Sequence, residues 1–264
     1  NTMGLTRYAS TKEGMTDIFY VEKTSPKDLV IALAGNPNTG KSTVFNALTG
    51  LHQHTGNWPG KTVANARGNY SHRDKNFILV DLPGTYSLLA SSVEEQIARD
   101  FICFGRPDAT VVVADATCLE RNLNLILQVI ELTDNVVVCV NLIDEAKKKK
   151  IEIDILKLQL ELGVPVVGTA ARSGVGLKDL LDAVYNVSTG KVKTSPKRVL
   201  YPEDIENLLE KVIPEIDRYV NNTILARWLA LRFIDGDKTI IESIKNYMAD
   251  FDDTNKEKAG GLIN

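Results

Sequence analysis

The run Gly35-Asn36-Pro37-Asn38-Thr39-Gly40-Lys41-Ser42 has the spacing GxxxxGK[ST]. It lies between an apolar run from Asp28 to Ala34, read as a strand, and a helix-like segment starting from Gly40 to Leu48. In that context the glycines let the backbone curl until its N–H groups face a β-phosphate at a helix N-terminus. Lys41 would set a point charge on the β- and γ-phosphates, and Ser42 would offer a hydroxyl to magnesium. The competing explanation is a chance match in a glycine turn, which the flanking strand and helix disfavour. The expected nucleotide-binding set here is Gly35, Asn36, Asn38, Thr39, Gly40, Lys41, Ser42 and Thr43.

Two further stretches suit the far end of a triphosphate. Asp81-Leu82-Pro83-Gly84 ends a second strand-like run, Asn76 to Leu82. Its aspartate could hold magnesium through a water, and the Gly84 N–H could reach a γ-phosphate. Thr62 closes the polar, glycine-bearing stretch from Gly56, whose make-up is that of a mobile loop. A threonine there could ligate magnesium and order the loop around GTP. Asn38, inside the phosphate loop, could offer its carbonyl oxygen to a monovalent cation beside the phosphates; the alternative is that it tightens the loop by bonding its own backbone. The expected catalytic set is therefore Lys41, Thr62, Gly84 and Asn38.

A phosphate loop does not choose between bases; Asn141-Leu142-Ile143-Asp144 does. It ends an apolar strand, where the crevice of an open α/β sheet lies. An aspartate at 144 can accept hydrogen bonds from the ring N–H and exocyclic amine of guanine, a pair adenine lacks. Ala170-Ala171-Arg172 follows the last strand, where a backbone N–H could contact the guanine carbonyl, which adds Asn141, Asp144, Ala170 and Ala171 to the nucleotide set. His52 and His54 lack an identified third ligand and read as exposed loop residues. The run Lys147 to Lys150 reads as a solvated helix face.

The elements that must position these groups alternate. Further strands are expected from Ala109 to Ala114, Asn135 to Leu142 and Val164 to Gly168, and helices from Val93 to Phe104, Leu119 to Leu132 and Asp154 to Gly163. Near-continuous apolar strands alternating with helices predict an α/β fold with a mainly parallel sheet covered on both faces. Asn69 to His72 suggests an antiparallel edge strand. Residues 188–199 form a polar linker, and three amphipathic helices follow, with Pro214 expected to kink or end the first and Trp228 expected in the core. The organisation expected is an extension over 1–27, a main domain over 28–187, the linker, and a helical domain over 200–264.

The chain has 264 residues and a formal net charge of −3, which does not suit general electrostatic binding of nucleic acid. Three scattered cysteines, Cys103, Cys118 and Cys139, read as buried free thiols of a reducing compartment. No run approaches the roughly 18 apolar residues of a spanning helix, so the chain is expected to be soluble by itself.

These motifs resemble those of translation-factor-related G proteins, and more narrowly the FeoB family of ferrous-iron transporters. The narrower likeness rests on Gly35 to Ser42, His54-Thr55-Gly56-Asn57-Trp58-Pro59-Gly60-Lys61-Thr62, Asp81 to Leu88, Asp115-Ala116-Thr117 and Asn141 to Asp144. It implies a Ras-like P-loop GTPase domain, intrinsically slow, that binds GTP or GDP with magnesium and also uses potassium. It further implies a helical domain that favours GDP retention and an iron-permease domain in the membrane of the same longer chain. The domain would then work on the cytoplasmic side of the bacterial inner membrane and regulate ferrous-iron uptake. Ala170 stands where the family usually has serine, and Thr85 where fast Ras-like enzymes place a water-orienting glutamine. An RNA-associated ribosome-assembly GTPase and a nucleotide-dependent interaction module are the alternatives. The oligomeric state stays open, a homo-oligomer among the choices.

Overall fold

The computed structural model describes residues 19, 21–50, 53–59, 61–89 and 91–245. The strands are β1 (Leu29–Gly35), β2 (Gln53–Asn57), β3 (Ala64–His72), β4 (Lys75–Asp81), β5 (Ala109–Asp115), β6 (Val136–Asn141) and β7 (Val166–Gly168). They form one sheet in the order β2-β3-β4-β1-β5-β6-β7. From β4 to β7 every neighbouring pair is parallel, whereas β2, β3 and β4 pair antiparallel. The fold is the expected mainly parallel α/β sheet with C-terminal helices.

The central strands alternate their side chains between two covered faces, which explains their unbroken apolar sequence. Ile31 and Leu33 face a layer containing α1 (Lys41–Thr49) and α6 (Leu177–Ser188), where Val44, Phe45, Leu180 and Val184 are buried. Val30, Ala32 and Ala34 face the other layer, with α2 (Val93–Phe104) and α3 (Leu119–Leu132). Ser92 caps α2 by accepting from the Glu95 amide at 3.1 Å, and Glu95 reaches back to the Ser91 amide at 2.8 Å. The short α4 (Ile143–Lys148) follows β6, and Asp154 caps α5 (Ile155–Leu162), which stops at left-handed Gly163.

The C-terminal helices α7 (Glu203–Val220), α8 (Thr223–Ile234) and α9 (residues 238–245) lie against the α3 side. Leu225, Leu229, Ile240 and Ile244 join the same apolar cluster as Phe101 and Ile126, and Trp228 is buried there as expected. Residues 191–202 carry no regular structure but are strapped down: Ser195 N–H donates to Gly163 O at 3.0 Å, and Arg198 pairs with Asp134 at 2.7 Å.

Several expectations need correction. Cys118 is exposed at the end of a 3-10 turn, whereas Cys103 and Cys139 are buried. Burial pushes the Cys139 thiol up to about 12, leaving it inert. The antiparallel strand is longer than 69–72 and interior; β2 forms the edge, so His54 sits in a strand, exposed. Gly56 and Asn57 also belong to β2, and Trp58 is 1% exposed, packed on Phe19 and Phe101. That aromatic anchor leaves only the turn beyond Trp58 as loop. Helix α7 does not end at Pro214 but runs on through it, because the packing of Ile213 and Ile216 outweighs the backbone bond that proline forfeits. His52, Gly60, most of the expected extension over 1–27 and the part of the expected helical domain beyond residue 245 lie outside the described residues.

Candidate nucleotide site

The phosphate-loop sequence spans the end of β1 and the start of α1. Gly35 lies so close to β5 that a Cβ would come within 2.7 Å of the Val113 carbonyl. Asn38 (φ 67°) and Gly40 (φ 77°) are both left-handed and turn the chain back into the helix. A Cβ on Gly40 would also sit 2.4 Å from the Asn141 side-chain nitrogen, so glycine is required twice over. Thr39 is buried, its hydroxyl donating to Asn36 O at 3.0 Å, while Asn38, Ser42 and Thr43 are exposed. Asn36 is buried as well, and its amide reaches Arg121 O at 3.5 Å.

Lys41 pairs with the Asp81 carboxylate, and its Nζ donates to Leu82 O at 2.7 Å. Burial pushes the Asp81 carboxyl above its ordinary range, while the Lys41 charge pulls it back. The chain then crosses the phosphate loop. Thr85 N–H donates to Gly35 O at 3.2 Å, and a Cβ on Gly84 would lie 3.5 Å from Pro37. Thr62 is exposed in the turn joining β2 to β3. Ser42, next to Lys41 in the chain, and Asp81, paired with it, carry hard oxygen donors, the chemistry that suits magnesium.

Asn141, expected at the base, is 1% exposed and occupied by protein at both ends of its amide. Its nitrogen donates to Thr39 O at 3.1 Å; its oxygen accepts from the Thr169 hydroxyl at 3.0 Å and the Ala171 amide at 3.1 Å. It thereby ties three loops together. The Ala170 amide is also engaged, with Val175 O at 3.0 Å. Leu142 is left-handed (φ 65°), which starts α4 at once and leaves Asp144 exposed in its first turn. Beside Asp144 and Ala170 opens a cavity of 440 Å³, walled by Ile143, Ile151, Ile153 and Val175. Sequence reasoning passed over Thr169, fully buried between the Asn141 oxygen and the Cys139 sulfur at 3.2 Å. Its one signal was a threonine directly before Ala170.

Comparison with known proteins gives a consistent result. Residues 29–184 match the family model of ferrous iron transport protein B, and residues 201–260 match that of the FeoB cytosolic helical domain. The Fe(2+) transporter FeoB of Escherichia coli K12 is 41% identical over 218 residues, covering 80% of this chain and 27% of that protein. The chain thus spans about a quarter of the length of the curated relatives it matches. The cytosolic domain of T. maritima FeoB, solved in GDP form II and in a GMPPNP form, is similar with TM-scores of 0.74 and 0.73. Identity is 38% in each case, covering 83% of this chain and 86% of those chains. The isolated T. maritima G domain is 43% identical, covering 61% of this chain and 98% of that one, with a TM-score of 0.58.

Proposed function

The chain belongs to the ferrous iron transport protein B family, and from that membership we propose that it binds guanine nucleotide and hydrolyses GTP slowly. The observation that carries this reading is the Asn141 amide, which holds the phosphate loop, the NxxD turn and the Ala170-Ala171 loop in one unit.

In the proposed mechanism the exposed N–H groups at the start of α1 receive the phosphates, and Lys41 exchanges Asp81 and Leu82 O for β- and γ-phosphate oxygens. Released from Lys41, Asp81 joins Ser42 and Thr62 as the set that would hold magnesium, whose charge offsets that developing on the phosphates. Gly84 donates its N–H to the γ-phosphate, and Asp144 accepts from the guanine ring. Thr85 is too short to orient water as a glutamine does, which makes hydrolysis slow. Potassium held by Asn38 would supply charge beside the phosphates in place of an arginine finger.

The domains divide at 28–187 and 200–264, the second favouring GDP retention. Together they regulate ferrous-iron uptake by a membrane domain of the same longer protein, from the cytoplasmic side of the bacterial inner membrane. Phosphate release from GTP, followed in potassium and then in sodium at constant ionic strength, tests this. Slow hydrolysis that rises in potassium, with Asn38→Ala removing the difference, is expected. No hydrolysis refutes the GTPase reading, and a cation-indifferent rate refutes potassium alone.

A further inference from the structure

Helix α3 carries Arg121, Asn124 and Gln128 at i, i+3 and i+7, one stripe of its surface. Its other face, with Leu125, Ile126, Val129 and Ile130, is buried in the core. The stripe grips three consecutive residues that follow Gly84 and Thr85. The Arg121 guanidinium lies over the Tyr86 ring, 4.8 Å from its centroid, and the Asn124 amide donates to Tyr86 O at 3.2 Å. Gln128 Oε1 accepts from the Leu88 amide at 2.6 Å and the Ser87 hydroxyl at 3.3 Å, and Gln128 Nε2 donates to Asn124 at 3.3 Å. Leu88 itself is 1% exposed. The segment is therefore held at both ends, by the phosphate loop at Thr85 and by α3 from Tyr86 to Leu88.

We propose that this stripe, through Gln128 at its C-terminal end, positions Gly84 for the γ-phosphate, which makes Gln128 a positioning residue for hydrolysis. The inference rests on the GTPase reading above. The Gly84 N–H can meet a terminal phosphate only if the chain after it stays against the loop, and among the described residues no hydrogen bond from the phosphate loop reaches beyond Thr85. Gln128 supplies the acceptor for the Leu88 amide. Removing that acceptor loosens the segment at Ser87 and Leu88 while leaving the phosphate loop and Asp81 untouched. GDP has no γ-phosphate, so its binding does not depend on the stripe.

The test uses the whole chain with Gln128→Leu and Gln128→Glu; the glutamate keeps an oxygen for Leu88 and Ser87. Single-turnover hydrolysis of GTP and the affinities for GDP and GMPPNP are measured for each. Gln128→Leu should slow hydrolysis about five- to tenfold, the scale of one lost hydrogen bond. It should also weaken GMPPNP, leave GDP affinity within about twofold, and be substantially rescued by Gln128→Glu. Intact GDP affinity also reports that the variant is folded, and Arg121→Ala should show a smaller effect of the same kind. An unchanged or faster rate in Gln128→Leu, or equal loss of GDP and GMPPNP binding, overturns the proposal. Absence of hydrolysis in the unmodified chain overturns the GTPase reading instead, and this one with it.

Discussion

The side-chain amide of Asn141 donates to the backbone oxygen of Thr39 across 3.1 Å, joining the end of β6 to the Gly35–Ser42 loop that follows β1. Because Asn141 is buried, its removal takes the side-chain partner from the Thr39 carbonyl and the Ala171 amide and leaves the Thr169 hydroxyl only the Cys139 sulfur. Asn141→Ala should cost about 1–3 kcal/mol of stability, the scale for buried partners left unpaired. It should also weaken GDP although its own amide need not touch the nucleotide. Thermal melting with and without GDP checks both effects.

Thr62 should matter for GTP and hardly for GDP. It is exposed in the β2–β3 turn and supports nothing in the core, so its replacement leaves the fold intact. Thr62→Ala is expected to slow GTP turnover with GDP affinity nearly unchanged. Fluorescent-nucleotide titration beside phosphate release separates this from a structural role, which would weaken both nucleotides alike.

Arg227 on α8 clasps both oxygens of Glu206 on α7, at 2.7 and 2.8 Å. These bonds hold the Glu206 carboxyl at about 2, well below its ordinary 4.5. A carboxyl depressed on folding stabilises above its unfolded pKa, and that contribution is lost as pH falls toward the folded value. Glu206→Gln should therefore melt below the unmodified chain at pH 7, with the gap closing between about pH 4.5 and pH 2. A gap independent of pH would show that the ionised pair contributes nothing.

Truncation after Thr189 should leave a domain that binds GTP, releases GDP faster and melts at lower temperature. The lower melting follows from the apolar cluster that Leu225, Leu229 and Ile240 share with α2 and α3. Retained binding follows from the position of every phosphate and base motif before Val187, and the T. maritima G domain has been crystallised alone. Stopped-flow GDP release from the two lengths decides it; identical rates would remove the helices from nucleotide control.

The parallel sheet was legible because strands buried on both faces must be continuously apolar, as Val136 to Val140 are. The phosphate loop was legible because left-handed turns and close packing leave glycine at 35 and 40 little alternative. What sequence could not show was long-range pairing. Trp58 becomes an anchor only because Phe19 and Phe101, far away in the chain, close around it. The polar linker gave no sign that Ser195 would dock against Gly163. Asn141 was placed at the base by motif order, whereas its hydrogen bonds go to protein, a distinction that depends on where Thr39 and Thr169 lie in space.

The central claim, that this site selects guanine through Asp144, is tested most directly by phosphate release from GTP and XTP for Asp144→Asn beside the unmodified chain. An amide at this position can donate to the xanthine carbonyl but cannot accept from both guanine donors. The account predicts a loss for GTP of more than about 2 kcal/mol in kcat/KM and a gain for XTP, so that the preference reverses. Equal preference for GTP in the two proteins would contradict it.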